Sequence, residues 1–348
     1  MKTRAVGFTI SAVLAASSFG QTPAGQTPQA TQDRVFHLTH VTTVQEFQEV
    51  ANVVRTITEV RDASSDNAQM ALTVRGTAEQ IGLAEWLVKQ LDQPAGVTSN
   101  PASLEYKGLS EADAQGHTTL DGVARIFYFA HMATVQEFQE AVNAIRTVTE
   151  TRRMFTYNDG RAMVVRGTPA QIAMTAWLVP QLDQADPAKP SSTAGEYNVG
   201  ADDVMRVFYL ANTQTVQDFQ EIANATRTTI EIRRMFTVNT PRAVLIRSTS
   251  DQMAMAQWLL GELDKPAGGP PSPASGEYRV PGAADDLMRV FYIPSAKSVQ
   301  DFQQIANAVR TATAIRRVFT NNARHAVAVR GTVNQLALAE TLIHDLSR

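Results

Sequence analysis

The chain contains four copies of one sequence unit, and this internal repeat constrains the fold more than any other feature. Each copy begins with Arg, Val or Ile, and Phe, continues with Val-Gln-[Glu/Asp]-Phe-Gln, and later reaches a second Arg. The two arginines are 41 positions apart in the first copy (75 − 34 = 41), and the other copies keep this spacing. Because no insertion separates these points, we expect one small fold duplicated in tandem. These arginines are Arg34 and Arg75, Arg125 and Arg166, Arg206 and Arg247, and Arg289 and Arg330.

Composition favours a globular chain without catalytic chemistry. The 348 residues carry a net charge of −3, with 44% hydrophobic and 19% charged residues. The near-neutral charge gives no reason to expect nucleic acid or an anionic membrane surface as a partner. There is no cysteine, and the six histidines lack metal-ligand spacing. No nucleophile motif or phosphate-binding Gly-rich loop is present, so we expect no enzyme activity, no catalytic residue, no metal and no cofactor.

The N-terminus has the pattern of a secretory signal. Lys2 and Arg4 precede a mostly apolar stretch from Ala5 to Ala16, and small residues follow. We assign residues 1–20 to a signal peptide and the Gln-, Thr- and Pro-rich residues 21–33 to a disordered segment. No later apolar run is long enough to span a bilayer. The mature chain is therefore expected to be exported and soluble, in the periplasm or, alternatively, secreted.

Each copy predicts the same order of elements. A short alternating strand comes first, and a helix follows that starts at a Ser or Thr with Glu or Asp three positions later, the pattern of a capping box. Two strands joined by a turn come next, and a second helix starts at a Thr with Gln three positions later. The predicted fold class is α+β, with four tandem β-α-β-β-α modules. The helices start at Thr43, Thr134, Thr215 and Ser298, and at Thr77, Thr168, Thr249 and Thr332.

Pro- and Gly-rich segments separate the copies. We assign the repeats to 34–94, 125–184, 206–266 and 289–348, and the linkers to 95–124, 185–205 and 267–288. Linkers of this composition favour modules arranged as beads on a semi-flexible string. Two features point instead to docking of the linkers. A Glu-Tyr pair recurs before copies two to four, and helix two carries Trp86, Trp177 or Trp258, replaced by Thr341 in copy four. Each Trp is either a docking site for the next linker or a peripheral core residue.

A polar stripe on the first helix is the candidate contact surface. Its four residue types are identical in every copy and follow a spacing of 3, 4 and 3, which places them on one helix face. Amide and guanidinium groups make directional hydrogen bonds with a partner, but they can equally tie the helix to neighbouring backbone. Both interpretations remain open. The residues are Gln45, Gln48, Asn52, Arg55; Gln136, Gln139, Asn143, Arg146; Gln217, Gln220, Asn224, Arg227; and Gln300, Gln303, Asn307, Arg310.

Short motifs around helix two resemble the N-terminal domains of bacterial secretins, the NolW-like, KH-like modules that form periplasmic rings. The resembling residues are 74–77 (Val-Arg-Gly-Thr), Gln80 and Ile81, and 91–94 (Leu-Asp-Gln-Pro), with counterparts in the other copies. The third copy has Ser248 in place of the Gly. Secretins also carry a long C-terminal β-barrel region, whereas this chain reaches only to Arg348, so pore formation is not implied. KH domains bind nucleic acid through a Gly-x-x-Gly loop, which is absent here.

The expectation from sequence is an exported, non-catalytic interaction or assembly scaffold in the bacterial envelope. The resemblance implies a secretion or pilus apparatus, or copies of the chain itself, as partners. The alternative is a protein that binds a polymer such as glycan through the repeated helix stripe. Three arginine pairs, at 152–153, 233–234 and 316–317, are interpreted as a solvated strand face, with no nucleic acid bound.

Overall fold

A computed structural model describes residues 30–94, 104–112, 118–186, 195–266 and 276–347. The predicted signal peptide and most of segment 21–33 lie outside these residues. The assignment of segment 21–33 to disorder is wrong at its end, because Gln32 and Asp33 belong to the first strand, Gln32–His37, and pair with a neighbouring strand. Eight helices and fifteen strands are found in the described parts. The helices are α1 (Val44–Thr58), α2 (Ala78–Leu91), α3 (Val135–Thr149), α4 (Pro169–Leu182), α5 (Val216–Ile230), α6 (Ser250–Leu263), α7 (Val299–Thr313) and α8 (Val333–Leu346).

The strands form four separate antiparallel sheets, one in each module. Module 1 has the order β1-β3-β2, and modules 2, 3 and 4 have the orders β4-β5-β7-β6, β8-β9-β11-β10 and β12-β13-β15-β14. The expected α+β class with four modules is confirmed. The strands are β1 (Gln32–His37), β2 (Asp62–Asp66), β3 (Ala71–Gly76), β4 (Glu105–Ala112), β5 (Thr118–Tyr128), β6 (Arg153–Tyr157), β7 (Ala162–Gly167), β8 (Tyr197–Gly200), β9 (Asp203–Tyr209), β10 (Arg234–Val238), β11 (Ala243–Ser248), β12 (Glu277–Arg279), β13 (Leu287–Tyr292), β14 (Arg317–Asn321) and β15 (Ala326–Gly331).

Modules 2, 3 and 4 contain a strand that the sequence did not predict. Strands β4, β8 and β12 lie within the segments assigned to linkers, and each pairs with the next strand as the edge of the four-stranded sheet. Each of these strands contains the Tyr of a recurring Glu-Tyr pair. These parts of the linkers are therefore structural elements of the module that follows them.

Helix starts follow from the capping residues. The Thr43 hydroxyl accepts a hydrogen bond from the Glu46 backbone N–H, and the Glu46 carboxylate accepts one from the Thr43 N–H, which satisfies two free donors of the first turn. The same reciprocal arrangement occurs at the start of α2, α3, α4 and α8. In α5 and α7, where the third residue is Asp, only the hydroxyl half of the arrangement is present. The shorter Asp side chain accounts for this in α5 and α7, whereas α6 has Gln252 at this position and also shows only the hydroxyl half.

The modules stack directly on one another, so the expectation of separate beads is wrong. The two helices of each module cover one face of its own sheet, and in modules 1 to 3 the sheet of the next module covers their outer side. Core residues of module 1 form one continuous apolar cluster with Leu109, Ile126 and Val164 of module 2. Modules 2 and 3, and modules 3 and 4, are joined in the same way. The central strand β7 is consequently buried along its whole length.

Candidate functional site

The junctions between modules bring together most of the repeated residues, and the Trp–Tyr contact is the first of them. The Trp86 ring lies 5.8 Å from the ring of Tyr106 on β4. Trp177 and Tyr197 are 5.6 Å apart, and Trp258 and Tyr278 are 5.4 Å apart. The rings are tilted, a geometry that aromatic pairs favour. Each Trp of helix two therefore contacts the first strand of the following module.

A carboxylate on helix one forms the second junction contact. Both oxygens of Glu49 accept hydrogen bonds from Asn158, one from its backbone N–H at 2.7 Å and one from its side-chain amide at 3.1 Å. Charge-assisted hydrogen bonds of this bidentate kind fix geometry as well as adding energy. The contact therefore sets the register of one module on the next. The other two junctions repeat it between Glu140 and Asn239 and between Glu221 and Asn322.

The arginine pairs take part in the junctions through their second member. Arg153 bridges to Glu59 at the end of α1 at 2.7 Å, and Arg234 bridges to Glu150 at 2.8 Å. The third junction has the same bridge between Arg317 and Glu231, at 2.9 Å. The first member of each pair is exposed, as the solvated-face interpretation requires. These bridges are partly exposed, and each contributes little to stability by itself.

The second arginine of the repeat caps a helix of the preceding module. Arg247 donates to the Val148 carbonyl at 3.1 Å, close to the end of α3, and also binds Asp203 at 2.7 Å. A cation near a helix C-terminus satisfies free carbonyls and interacts favourably with the helix dipole. Arg166 donates to the Ile57 carbonyl, and Arg330 donates to the Thr229 carbonyl. Arg75 has no preceding module in the described chain and is largely exposed.

Strand tyrosines bind the end of the preceding helix two. The Tyr209 hydroxyl donates to the Gln181 carbonyl, and the Tyr292 hydroxyl donates to the Glu262 carbonyl, both at 2.5 Å. Burial raises the pKa of Tyr209 and of Tyr292 to about 12, because the charged phenolate is poorly solvated there. Both hydroxyls therefore stay protonated, and able to donate, well above neutral pH. Tyr128 makes the equivalent contact to Gln90 at 3.4 Å.

The polar stripe of helix one divides into two groups. The second Gln and the Arg of each copy bond within their own module. Gln220 donates to Thr237 at 3.1 Å and to Asn239 at 2.8 Å, and Arg227 donates to the Met235 carbonyl at 2.9 Å. These residues bind the helix to the hairpin of its own module. For them the structural interpretation holds, and not the interpretation as a partner-binding surface. The equivalent ties are made by Gln48 and Arg55, by Gln139 and Arg146, and by Gln303 and Arg310.

The first Gln and the Asn of the stripe remain exposed in every module. In three modules the Asn side chain accepts a hydrogen bond from the Arg one turn later. These eight residues are the part of the candidate surface that stays available to a partner. They are Gln45, Asn52, Gln136, Asn143, Gln217, Asn224, Gln300 and Asn307.

The repeated Asp after helix two has a structural role. Asp92 accepts hydrogen bonds from the backbone N–H groups of Thr39, His40 and Val41, at 2.7 to 3.1 Å. Asp183 and Asp264 bind the matching loops of modules 2 and 3. Burial raises the pKa of Asp264, and these backbone hydrogen bonds oppose the shift. The Leu-Asp motif therefore joins the end of helix two to the loop before helix one.

Among the described residues, no group of His, Asp and Glu could hold a metal ion. No helix in the described parts of the chain is both long and apolar enough to cross a membrane.

The junction glutamates and asparagines had not been singled out from the sequence. The signal that identifies the glutamates is the comparison of the end copies, because Gln304 of module 4 stands where the first three modules have the junction Glu. The asparagines are the same in all four copies and carry no such signal.

No protein-family model and no curated protein matches the chain. Among solved structures it is similar to Aeromonas hydrophila ExeD, with 17% identity over 67% of this chain and 41% of that one and a TM-score of 0.16. It is also similar to the N-terminal domain of the secretin XcpQ from Pseudomonas aeruginosa, with 13% identity, 44% and 62% coverage and a TM-score of 0.18. The type II secretion system secretin GspD of E. coli K12 shows 11% identity, 68% and 40% coverage and a TM-score of 0.16. The chain spans less than two thirds of the length of each.

Proposed function

We propose that the chain is a non-catalytic scaffold of the bacterial envelope, related to secretin periplasmic modules, that holds four stacked modules in fixed register. One observation carries the proposal: all three junctions repeat the same aromatic, carboxylate and arginine contacts. Free linkers would not need them, because a spacer only sets a distance. Repeated contacts give a defined array, and a defined array presents equivalent surfaces at regular intervals.

The exposed Gln and Asn of helix one are the surfaces that the array repeats. Gln136 and Asn143 lie on the same helix face one module away from Gln217 and Asn224. Amide side chains donate and accept hydrogen bonds without carrying charge, which suits recognition of another protein. We assign partner binding to this row, with an envelope protein, such as a component of a secretion or pilus apparatus, as the partner.

The experiment that tests the proposal is affinity capture from envelope extract with the chain lacking residues 1–20. The wild-type chain should retain one set of envelope proteins. Replacing the four exposed Gln residues and the four exposed Asn residues by Ala should abolish retention without changing the melting temperature. A matched control replaces Arg152 and Arg233, which are exposed but do not belong to the row, by Ala and should retain the same proteins. Retention of polysaccharide in place of protein would overturn the scaffold and favour the glycan-binding alternative.

A further inference from the structure

The outer side of the module 4 helices is an apolar surface, here named the module 4 helix face and defined by the exposed Leu338 and Leu346 and the half-buried Ile305 and Leu342. Leu338 is 44% exposed and Leu346 is 49% exposed, and no segment of the described chain covers either. At the positions equivalent to Leu338, the next module covers the helices completely. The exposed fractions there are 0% for Leu83, 4% for Met174 and 5% for Met255.

The two ends of the array differ in chemistry. The sheet of module 1 has no preceding module in the described chain. Its outer face has Asp33 and Ser64 where the other modules have apolar residues, and Asp66 where they have Tyr157, Val238 and Asn321. Terminal modules of stacked arrays normally carry such a polar outer face, which keeps them soluble. Module 4, the last module of the described chain, has no such polar outer face, because its helix face keeps aliphatic residues at the junction positions. An apolar surface of this kind marks an interaction site.

The rim of the module 4 helix face has lost the groups that recognise a following sheet. Gln304 replaces the Glu that binds Asn, Ala314 replaces the Glu that binds Arg, and Thr341 replaces the Trp that contacts Tyr. A carboxylate buried without a cationic or hydrogen-bonding partner is strongly unfavourable. Removal of both carboxylates therefore fits a neutral apolar partner surface better than a sheet that carries Arg.

We propose that the module 4 helix face binds the same face of a second copy of this chain, which gives a dimer with two-fold symmetry. In such a contact each apolar patch meets its own equivalent, and no carboxylate is buried at the two lost Glu positions. Head-to-tail stacking on module 1 is less favourable, because Asp33 and Asp66 would then be buried against aliphatic side chains.

The size of the surface predicts a weak dimer. Helices of 15 and 14 residues are about 21 Å long, and two neighbouring helices about 10 Å apart present a face of about 400 Å². Two such faces bury about 800 Å² in total, below the range of stable complexes. Association should therefore depend on concentration. This inference deepens the proposed scaffold role by naming one partner, and it can fail while capture of envelope proteins still succeeds.

Sedimentation velocity across a wide concentration range tests the dimer, with the chain lacking residues 1–20. The wild type should double in mass at high concentration. Leu338→Arg and, separately, Leu346→Arg should remain monomeric with unchanged circular dichroism, since both positions are about half exposed. The matched control is Val216→Arg, at a module 3 residue that is 49% exposed and away from this face. A monomeric wild type at every concentration, or dimerisation that survives both Leu variants, overturns the proposal.

Spin labelling distinguishes the two-fold dimer from head-to-tail stacking. The chain has no cysteine, so Val299→Cys places a single label at the exposed start of α7 in module 4. A two-fold dimer brings two labels within range of dipolar spectroscopy and gives one distance peak that vanishes with Leu338→Arg. Head-to-tail stacking separates the labels by the length of an array and gives no peak, which would overturn the proposal even if the mass doubles.

Discussion

Replacing Arg247 by Ala should destabilise the array far more than replacing Arg75 by Ala, although both residues occupy the same place in the repeat. The Arg247 side chain is 11% exposed, binds Asp203 at 2.7 Å and donates to the Val148 carbonyl of the preceding module. The Arg75 side chain is 59% exposed and lies 3.6 Å from Asp33. Comparing the two variants therefore shows how much of this arginine's contribution to stability comes from the contact between modules.

The expected magnitudes follow from burial. Removing one partner of a buried ion pair costs about 3 to 5 kcal/mol. Asp203 is 29% exposed, so water can replace part of the interaction. Arg247→Ala should therefore lower the free energy of unfolding by about 2 to 3 kcal/mol. Arg75→Ala removes an exposed pair and should cost less than about 1 kcal/mol. The difference amounts to several degrees of melting temperature, at about 2 to 4 °C per kcal/mol for chains of this order of size.

Differential scanning calorimetry measures both variants against the wild type. A four-module array need not unfold in a single transition, so the earliest transition is the quantity to compare. Hydrogen exchange locates the effect, since amides near Val148 at the end of α3 should exchange faster in Arg247→Ala. Equal losses for the two variants, or a loss for Arg247→Ala without faster exchange in α3, would refute the role of this arginine in the junction.

Three further predictions test the remaining contacts. Trp177→Ala should lower the melting temperature by several degrees because it removes a partly buried ring contact, whereas Thr341→Ala, at the same position of module 4, should leave it unchanged. Arg227→Ala should destabilise module 3 in thermal melts and Gln217→Ala should not, since only the arginine binds strand backbone. Stability should fall as the pH rises from about 10 to about 12, since Tyr292 loses its proton at about 10 when unfolded and at about 12 when folded. Melting curves of Tyr292→Phe should show a shallower fall over this range, and an unchanged slope would contradict the assignment.

Local elements could be predicted from the sequence because their signals are local. The Thr residues at the helix starts and the Gln or Glu three positions later identify caps by side-chain chemistry alone. Strand β7, Ala162–Gly167, is predominantly apolar, which is typical of a strand buried on both faces, but a short apolar run does not reveal what covers it. Strand β12 has only three residues, Glu277–Arg279, and is stabilised by pairing with β13. Strands of that length carry too little periodicity to be detected.

The helix-one stripe shows where helical periodicity stops being informative. Spacing placed Gln217, Gln220, Asn224 and Arg227 on one face, and all four do lie on one side of α5. A helix face is wide, however, and its flank reaches the neighbouring hairpin. Gln220 and Arg227 therefore bond to strand β10 and the turn that follows it, while Gln217 and Asn224 face solvent. Sequence spacing cannot separate these two outcomes, because the position of the hairpin is set by tertiary packing.

Positions at which an end copy differs from the others indicate contacts between modules, and positions that are identical in all four copies do not. Residues that act within one module, such as Gln48 with Asn67, are the same in all four copies because every module needs them. Several residues that act between modules are instead replaced at an end that has no neighbour in the described chain, although Arg75 keeps the second arginine of the repeat in module 1. The arginine that bridges to the end of the preceding helix one, such as Arg153, is replaced by Asp62 in module 1. The glutamate that it binds, such as Glu59, is replaced by Ala314 in module 4. A substitution confined to an end copy of a repeat therefore indicates a contact between modules, and it identifies that contact without any other sequence for comparison.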